Sequence, residues 1–146
     1  MKLIVQRVTN ANVKVDNEIT GSIDEGLMVL VGFGENDTEK EAEYLAKKLT
    51  KLRIFPDEKG RMNLSVKDIN GKLLLVPQFT LYASTKKNRP SFHKALAPEK
   101  ATKLFDYFVE KCCENVPVET GKFGAFMKVE LLNNGPVTII LEKEAE

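Results

Sequence analysis

The chain has 146 residues, of which 42% are hydrophobic and 29% are charged, and its formal net charge is +1. This length fits one domain over residues 1–146, and the near balance of charges excludes a general polyanion binder, so any nucleic-acid contact must come from a local patch. No apolar run approaches the ~20 residues of a membrane-spanning helix, and the N-terminal stretch lacks a signal-peptide cleavage site, so we expect a cytoplasmic protein without a membrane association.

Side chains that commonly hold metals are scarce. The chain has one histidine, His93, and two adjacent cysteines, Cys112 and Cys113. Neighbouring residues in a helix point in different directions, so we expect free thiols rather than a disulfide. One histidine and a vicinal cysteine pair do not give a structural zinc site with ordinary spacing. The sequence therefore predicts no metal and no cofactor, and it argues against a histidine-based catalytic triad.

The first part of the chain is rich in strand-forming residues. Segments with β-branched or aliphatic side chains predict strands at residues 2–9, 12–16, 18–23 and 26–34. Asp16-Asn17 predicts a hairpin turn between the second and third of them. Gly32-x-Gly34 invites a dinucleotide-binding interpretation, but Asp37 stands where the fingerprint needs its third glycine, so we reject a Rossmann site.

Two helices are predicted from their starts and their apolar stripes. Thr38 and Glu41 form a capping box, and Pro98 suits the first position of a second helix. Apolar residues then follow at steps of three and four: Ala42, Leu45, Ala46, Leu49 and Leu52, and later Ala101, Leu104, Phe105, Phe108, Val109 and Cys112. Three lysines lie off the first stripe: Lys47, Lys48 and Lys51. They are typical of a solvated helix face, with an RNA-facing edge as the alternative.

The central segment, Leu73–Leu81, combines a strong strand signal with an anomaly. Four aliphatic residues after a turn signal predict a strand that is buried on both faces. Pro77 cannot donate to a strand ladder, which indicates a bulge or an edge, and it stands beside Gln78 and Thr80. A buried strand that breaks its own hydrogen bonding beside an amide and a hydroxyl is a candidate catalytic site. A core strand with a simple bulge is the alternative.

Residues 83–96 are the most basic stretch of the chain and contain no acidic residue. Its cationic or titratable side chains are Lys86, Lys87, Arg89, His93 and Lys94. Arg89-Pro90-Ser91-Phe92 places a guanidinium near an aromatic ring, which suits a phosphate and a base or ribose. The alternative is a solvated loop.

The last part of the chain alternates strand signals and turns. Strands are predicted at residues 116–119, 123–132 and 137–141, with a tight turn at 133–136. About eight strands and two helices indicate an α+β fold, a curved and largely antiparallel sheet or barrel packed by helices.

Two motifs stand out together, Gln78-Phe79-Thr80-Leu81 and Asn133-Asn134-Gly135-Pro136-Val137-Thr138. The pair resembles the D-aminoacyl-tRNA deacylase family, whose hallmarks are a Ser-Gln-Phe-Thr-Leu motif and an Asn-x-Gly-Pro-Val-Thr motif. Further matches in register extend over nearly the whole chain: Gln6-Arg7-Val8, Leu52-Arg53-Ile54-Phe55, Arg89-Pro90-Ser91-Phe92 and Gly121-Lys122-Phe123-Gly124-Ala125-x-Met127. This chain departs from the family pattern at Pro77, where the motif has Ser.

The resemblance implies a homodimer whose active sites lie at the interface. In that family the Gly-Pro peptide bond is cis and enters the pocket of the other subunit; here it would be Gly135-Pro136. Carbonyls aimed over the pocket would leave room for a hydrogen but not for a side chain on one face of the bound amino acid. L-residues would then be rejected sterically, while D-residues and glycine could enter. Arg7 resembles the arginine that braces this loop.

The implied reaction is hydrolysis of the ester that joins an amino acid to the terminal ribose of tRNA, a chiral proofreading step in translation. Its substrates would be D-aminoacyl-tRNA and glycyl-tRNA mischarged on tRNA(Ala), and its catalytic residues Gln78, Phe79 and Thr80. Thr80 could be a nucleophile, although no His or Lys is placed by the sequence to activate it. In the second route, which the resemblance favours, the protein positions the ester and the adjacent ribose 2′-hydroxyl assists the water.

Further binding residues follow from the resemblance and from the basic loop. Phe123 and Met127 resemble the positions that contact the terminal adenine, with inward strand positions as the alternative. Three residues of the basic loop would contact tRNA phosphates: Lys86, Lys87 and Arg89. Pro77 would line the pocket. Because it stands where the family motif has Ser, a deacylase with relaxed chiral selectivity is one alternative. The other two alternatives are a non-catalytic RNA-binding module and a small esterase that acts on free D-amino acid derivatives.

Overall fold

A first strand of 14 residues organises the sheet because it pairs along both of its edges. A computed structural model describes residues 1–146. Its strands are β1 (Lys2–Val15), β2 (Glu18–Ile23), β3 (Gly26–Gly32), β4 (Phe55–Pro56), β5 (Met62–Leu64), β6 (Lys72–Pro77), β7 (Val118–Thr120) and β8 (Lys128–Glu142). Its helices are α1 (Glu39–Lys51) and α2 (Pro98–Cys113). Neither helix is both long and apolar enough to cross a membrane.

The main sheet is mixed and curls almost into a barrel. β1 pairs antiparallel with β2 and β3 along one edge and with β8 along the other, whereas β6 pairs parallel with β3 and β7. The sheet nearly closes between β2 and β7, where a Cβ on Gly21 would lie 2.6 Å from the Thr120 carbonyl oxygen. The predicted α+β class, a curved sheet or barrel packed by two helices, is confirmed, and the parallel pairs all involve β6.

The strand predicted to be buried on both faces is β6. Leu73 and Leu75 belong to a core of 24 buried residues that also includes the apolar stripes of α1 and α2. Leu74 and Val76 belong to a second cluster of seven residues from β1, β2, β3 and β6. Successive side chains of a strand point to opposite faces, so β6 contributes to both clusters at once. This explains its unbroken run of aliphatic residues.

Three predicted boundaries differ from the structure. Segments 2–9 and 12–16 form the single strand β1, because β8 pairs with it along nearly its whole length. The predicted turn at 133–136 does not reverse the chain, since β8 continues beyond it and pairs with β1 on both sides. Residues 123–127 lie outside any strand, and β8 begins only at Lys128. In each case long-range pairing decides what the local pattern leaves ambiguous.

Both cysteines are free, as predicted. Cys112 lies in the core, while Cys113 is exposed. Burial raises the pKa of the Cys112 thiol to about 12, with a smaller contribution from Cys113. A thiol with so high a pKa holds little thiolate at neutral pH, which indicates a packing role for Cys112.

The start of α1 carries the predicted capping box. Thr38 Oγ1 accepts a hydrogen bond from Lys40 N at 3.3 Å, and Glu41 Oε1 accepts one from Thr38 N at 2.7 Å. Burial of the Glu41 carboxylate opposes its ionisation, but the hydrogen bonds from the Thr38 amide and hydroxyl outweigh it, so the pKa of Glu41 is lowered. The box therefore stabilises the helix start most when Glu41 is ionised.

Thr38→Ala should lower the free energy of unfolding by about 1 kcal/mol at neutral pH, because it removes one cap and one partner of Glu41. A carboxyl whose pKa is lowered in the folded state stabilises the fold above its unfolded pKa and loses that contribution as the pH falls through its folded pKa. The difference in the free energy of unfolding between variant and wild type should therefore be smaller at acidic pH. Chemical denaturation at neutral and acidic pH measures it, with the exposed Thr85→Ala as control. An unchanged gap at both pH values would contradict this account.

Candidate active site

Pro77 ends β6 without leaving a defect in the sheet. The Leu73 amide donates to the Pro117 carbonyl, and the Gln78 amide donates to the Val31 carbonyl at 2.8 Å, so alternate amides of β6 face β7 and β3. Pro77 falls on the β7 side, where the pairing stops at Leu75. Its missing N–H therefore costs no ladder bond. Of the two predicted explanations, the bulge is wrong and the open edge is correct, and the strand then gives way to a 3₁₀ turn at residues 79–82.

A pocket of about 510 Å³ opens beside this turn, between the start of α2 and the segment that leads into β8. Its volume is in the range of small-molecule sites. The 18 lining residues are Val31, Phe33, Val76, Pro77, Gln78, Phe79, Phe92, Ala95, Leu96, Ala97, Pro98, Ala101, Phe123, Gly124, Ala125, Phe126, Met127 and Val129. None of them has an ionisable side chain, and Gln78 contributes the only side-chain hydrogen-bonding group.

Exposed aromatic rings stand at the mouth of the pocket. The Phe79 side chain is 57% exposed, and its ring lies edge-on to that of Phe92 with centroids 5.0 Å apart. Phe126 is 87% exposed. Phe123 lies deeper and packs against Phe105 of α2 at 6.2 Å. Large rings left open to solvent at a concave site are typical of a surface that binds a flat ligand such as a nucleobase.

The 3₁₀ turn carries few polar side chains, and a hydrogen bond from the residue before it orients one of them. Gln78 Nε2 donates to Thr80 Oγ1, and no lysine, histidine or carboxylate bonds to that hydroxyl. The hydrogen bonds of the turn begin at the Leu81 amide, which donates to the Gln78 carbonyl at 3.3 Å. The turn itself therefore does not use the amides of Phe79 and Thr80.

The Gly-Pro segment forms a loop on β8. Val8 pairs with Asn133 and Gln6 with Thr138, so residues 134–137 all lie opposite Arg7. The Gly135-Pro136 peptide bond is cis, as the family resemblance implied. This loop does not line the pocket of its own chain.

Two side chains hold the loop in place. Arg7 Nε donates to the Asn134 carbonyl at 2.9 Å, and its Nη1 donates to the Ile54 carbonyl at 2.7 Å. Asn133 Oδ1 accepts from the Val137 amide at 2.7 Å, and its Nδ2 donates to the Val137 carbonyl at 3.2 Å. The loop is thus fixed at both ends by hydrogen bonds.

The pocket brings together five of the predicted site residues: Pro77, Gln78, Phe79, Phe123 and Met127. The others lie outside its lining within one chain: Arg7, Thr80, Lys86, Lys87, Arg89, Gly135 and Pro136. Thirteen lining residues were not among the predicted site residues, including Phe92 and Phe126 at the mouth and Pro98 and Ala101 of α2. The sequence signal of Phe92 is its place in the basic loop, and Pro98 and Ala101 have no local signal for this pocket because tertiary packing places them there.

The basic loop borders the pocket through Phe92. Ser84 and Ser91 pair across its base, with amide-to-carbonyl distances of 2.8 and 3.0 Å. The three cations predicted to contact phosphates are exposed and have no ion-pair partner: Lys86, Lys87 and Arg89. The loop therefore presents unneutralised positive charge near the aromatic mouth of the pocket.

Known proteins resemble this chain over nearly its whole length. A D-aminoacyl-tRNA deacylase of Thermosipho melanesiensis is 54% identical over 147 residues, which cover 99% of this chain and 98% of that protein. The solved structure of a c-Myc DNA unwinding element binding protein superposes with a TM-score of 0.94 at 42% identity, covering 99% of this chain and 100% of the other. A probable eukaryotic D-amino acid tRNA deacylase shares the fold, with a TM-score of 0.82 at 18% identity over 96% of this chain and 97% of its own.

The family model described as D-Tyr-tRNA(Tyr) deacylase matches residues 4–142. The resemblance predicted from the two motifs is thereby confirmed. The chain belongs to the D-Tyr-tRNA(Tyr) deacylase family.

Proposed function

We propose that this chain hydrolyses the ester bond of D-aminoacyl-tRNA, and of glycyl-tRNA mischarged on tRNA(Ala), releasing free tRNA and the amino acid. Membership of the family makes the chain a tRNA deacylase, a hydrolase that acts on ester bonds. The observation that carries the mechanistic part of the proposal is the pocket lining, which contains no ionisable side chain. A site without its own acid or base suits a substrate that brings a reacting hydroxyl with it.

In the proposed mechanism the protein positions the ester and the substrate assists its own hydrolysis. The ribose 2′-hydroxyl beside the scissile ester accepts a hydrogen bond from the attacking water and orients it. As the water attacks the ester carbonyl, its proton passes to the 2′-oxygen while the 2′-hydroxyl proton passes to the departing 3′-oxygen, so that the ester bond breaks and the amino acid and the tRNA leave. The Phe79 and Thr80 amides, which the 3₁₀ turn leaves unused, stabilise the developing oxyanion. Such donors contribute about 3–4 kcal/mol each in known hydrolases. Gln78 orients the Thr80 hydroxyl and the turn that carries these amides.

Thr80→Ala should therefore retain hydrolysis of D-aminoacyl-tRNA within about tenfold of wild type, because it removes a positioning hydroxyl and not a nucleophile. The matched change in the substrate, a 2′-deoxy terminal adenosine, should lower the rate far more. Single-turnover release of labelled amino acid measures both effects. Loss of all activity in the variant, together with full activity on the deoxy substrate, would identify Thr80 as the nucleophile.

Chiral selection in this proposal depends on a homodimer. β8 pairs only with β1, so its second edge is open, and Leu132 and Ile140 on it are 59% and 61% exposed. A long apolar edge strand is a surface that a second copy can cover. The Gly135-Pro136 loop of this strand is absent from the lining of its own pocket. Its insertion into the partner's pocket would complete that site and exclude L-side chains by steric clash.

The terminal adenosine has a binding surface on this account. Phe123 and Met127 contact the adenine, and the rings at the mouth of the pocket extend that surface. Lys86, Lys87 and Arg89 contact phosphates of the tRNA 3′ end, since they are exposed and unpaired. Pro77 lines the wall that faces the amino acid. It replaces the family's usual Ser and so removes one hydroxyl from that wall.

One assay separates the proposal from its alternatives. Amino acid release is followed from D-tyrosyl-tRNA, from glycyl-tRNA and from D-tyrosine methyl ester, which lacks a ribose, while tRNA binding is measured in parallel. We expect release from both tRNA substrates and little from the methyl ester. Binding of tRNA without release would indicate an RNA-binding module, and equal rates on the methyl ester would indicate a free-ester hydrolase.

A further inference from the structure

A second concave surface at the C-terminal end of α1 carries charge that the proposed pocket does not use. We call it the α1 groove; it measures about 490 Å³ and is lined by Tyr44, Lys47, Lys48, Lys51, Leu52 and Arg53. Four of these six residues are cations in a chain whose formal net charge is only +1. From the sequence alone, the three lysines of this groove fit either a solvated helix face or an RNA-facing edge.

Most of this positive charge is not neutralised within the chain. Lys47 pairs with Glu43 at 3.4 Å, but both side chains are largely open to solvent. Lys48 and Lys51 are exposed and form no ion pair. They stand three positions apart on α1, which places them on neighbouring parts of one helix surface.

An aromatic ring accompanies the cations. Tyr44 is 51% exposed, and Lys143 Nζ lies 5.1 Å from the centre of its ring. Arg53 Nε donates to the Asn63 carbonyl at 2.9 Å, which holds its guanidinium at the other end of the groove. One hydrogen-bonded guanidinium and several exposed lysines are thus spread around a solvent-exposed ring. Such an extended set of cations suits a phosphodiester backbone better than an isolated anion.

The α1 groove is linked by hydrogen bonds to the Gly-Pro loop. The chain runs from Arg53 into Ile54, whose carbonyl accepts from Arg7 Nη1 at 2.7 Å. The same guanidinium binds the Asn134 carbonyl through Nε at 2.9 Å. In the proposed dimer this loop enters the partner's pocket, so the Arg7 hydrogen bonds would connect the groove of one protomer with the pocket of the other. In a tRNA whose 3′ end occupies that pocket, the acceptor stem is the duplex nearest to the reacting end and so the part of the backbone that the groove would meet.

We propose that the α1 groove binds the phosphate backbone of the acceptor stem of the tRNA that is being deacylated in the partner's pocket. This inference rests on the proposed function and on its dimer. The contacts are with phosphates, so the groove contributes affinity that depends on salt and not on base sequence. The catalytic step itself is unaffected, because the groove holds none of the pocket residues.

The test compares two double variants that remove the same charge. K48Q/K51Q neutralises the groove, whereas K14Q/K72Q neutralises two exposed lysines that line neither surface and form no ion pair. For K48Q/K51Q we expect KM for D-tyrosyl-tRNA to rise about tenfold with kcat unchanged, and the slope of log affinity against log salt to fall by about 2. Hydrolysis of a D-tyrosyl ester of adenosine, which has no stem, should be unchanged.

Binding of uncharged tRNA, measured by fluorescence anisotropy over a range of salt concentrations, provides the second measurement. Weaker binding by K48Q/K51Q than by K14Q/K72Q supports the inference whether or not hydrolysis is detected. Equal binding and equal KM for the two variants would overturn it, even with wild-type deacylation intact. An equal decrease in the hydrolysis of D-tyrosyl-tRNA and of the adenosine ester by K48Q/K51Q would also overturn the inference, since a contact with the stem cannot affect a substrate that has no stem.

Discussion

Gly135→Ala is expected to lower the rate of D-aminoacyl-tRNA hydrolysis about 100-fold, because a displacement near 1 Å at a positioning group has effects of this size. Gly135 has φ of +144°, a conformation that residues with a side chain rarely adopt. An added Cβ would lie 2.8 Å from Val137 Cγ2 and 3.1 Å from Arg7 Nη2. The loop or its arginine must therefore move, and the loop would no longer fit the partner's pocket.

Gly60→Ala provides the matched control for this experiment. Gly60 also has positive φ, at +76°, but an added Cβ there would meet no atom within 4 Å. The control therefore carries backbone strain without a collision beside the Gly-Pro loop. Single-turnover rates and thermal unfolding are measured for both variants. Wild-type hydrolysis by folded Gly135→Ala would contradict the role assigned to the loop, whereas an equal loss in Gly60→Ala would attribute the effect to strain alone.

Arg7→Lys is expected to lower D-aminoacyl-tRNA hydrolysis by about 100-fold as well, since the loop would again lose its position. The guanidinium holds the Asn134 and Ile54 carbonyls together through two different nitrogens, at 2.9 and 2.7 Å. A lysine ammonium is a compact point charge and cannot reproduce this forked geometry. The variant keeps the positive charge, so a loss of activity would report geometry and not net charge.

Arg7→Ala and Arg61→Ala complete the comparison. Each hydrogen bond from a charged donor contributes roughly 1.5–3 kcal/mol, so Arg7→Ala should also lower the free energy of unfolding measurably. Arg61 is exposed, and its side chain makes no hydrogen bond or ion pair, so Arg61→Ala should change neither quantity. Full activity of Arg7→Lys, with or without a loss in Arg7→Ala, would show that charge suffices and that the fork does not position the loop.

The features that depend only on neighbouring residues could be predicted from the sequence. The capping box at Thr38, the proline that opens α2 and the Asp16-Asn17 turn all depend on a few neighbouring residues, and all are confirmed. The aliphatic run of β6 was correctly predicted to be buried on both faces, because an unbroken run of this kind rarely arises otherwise.

Features that depend on distant partners could not be predicted in the same way. Asn133–Pro136 has the composition of a tight turn, yet pairing with β1 on both sides keeps it within one strand. Pro77 suggested a bulge or an edge, and only the structure decides between them: β7 ends before it reaches that position, so Pro77 lies on an open edge and no bond is missing. The pocket receives Phe92 and the start of α2 only through packing. Family membership and enzyme class came from the motifs, whereas the roles of individual site residues stay predictions.

The central claim is that an uncharged pocket, completed by the Gly-Pro loop of a partner, hydrolyses D-aminoacyl esters of tRNA and rejects L-esters by steric clash. The most direct measurement compares the rates at which the homogeneous wild-type protein releases tyrosine from D-tyrosyl-tRNA and from L-tyrosyl-tRNA under the same conditions. We predict rapid release of the D-enantiomer and release of the L-enantiomer no faster than spontaneous hydrolysis. Equal release of both enantiomers would contradict the claim.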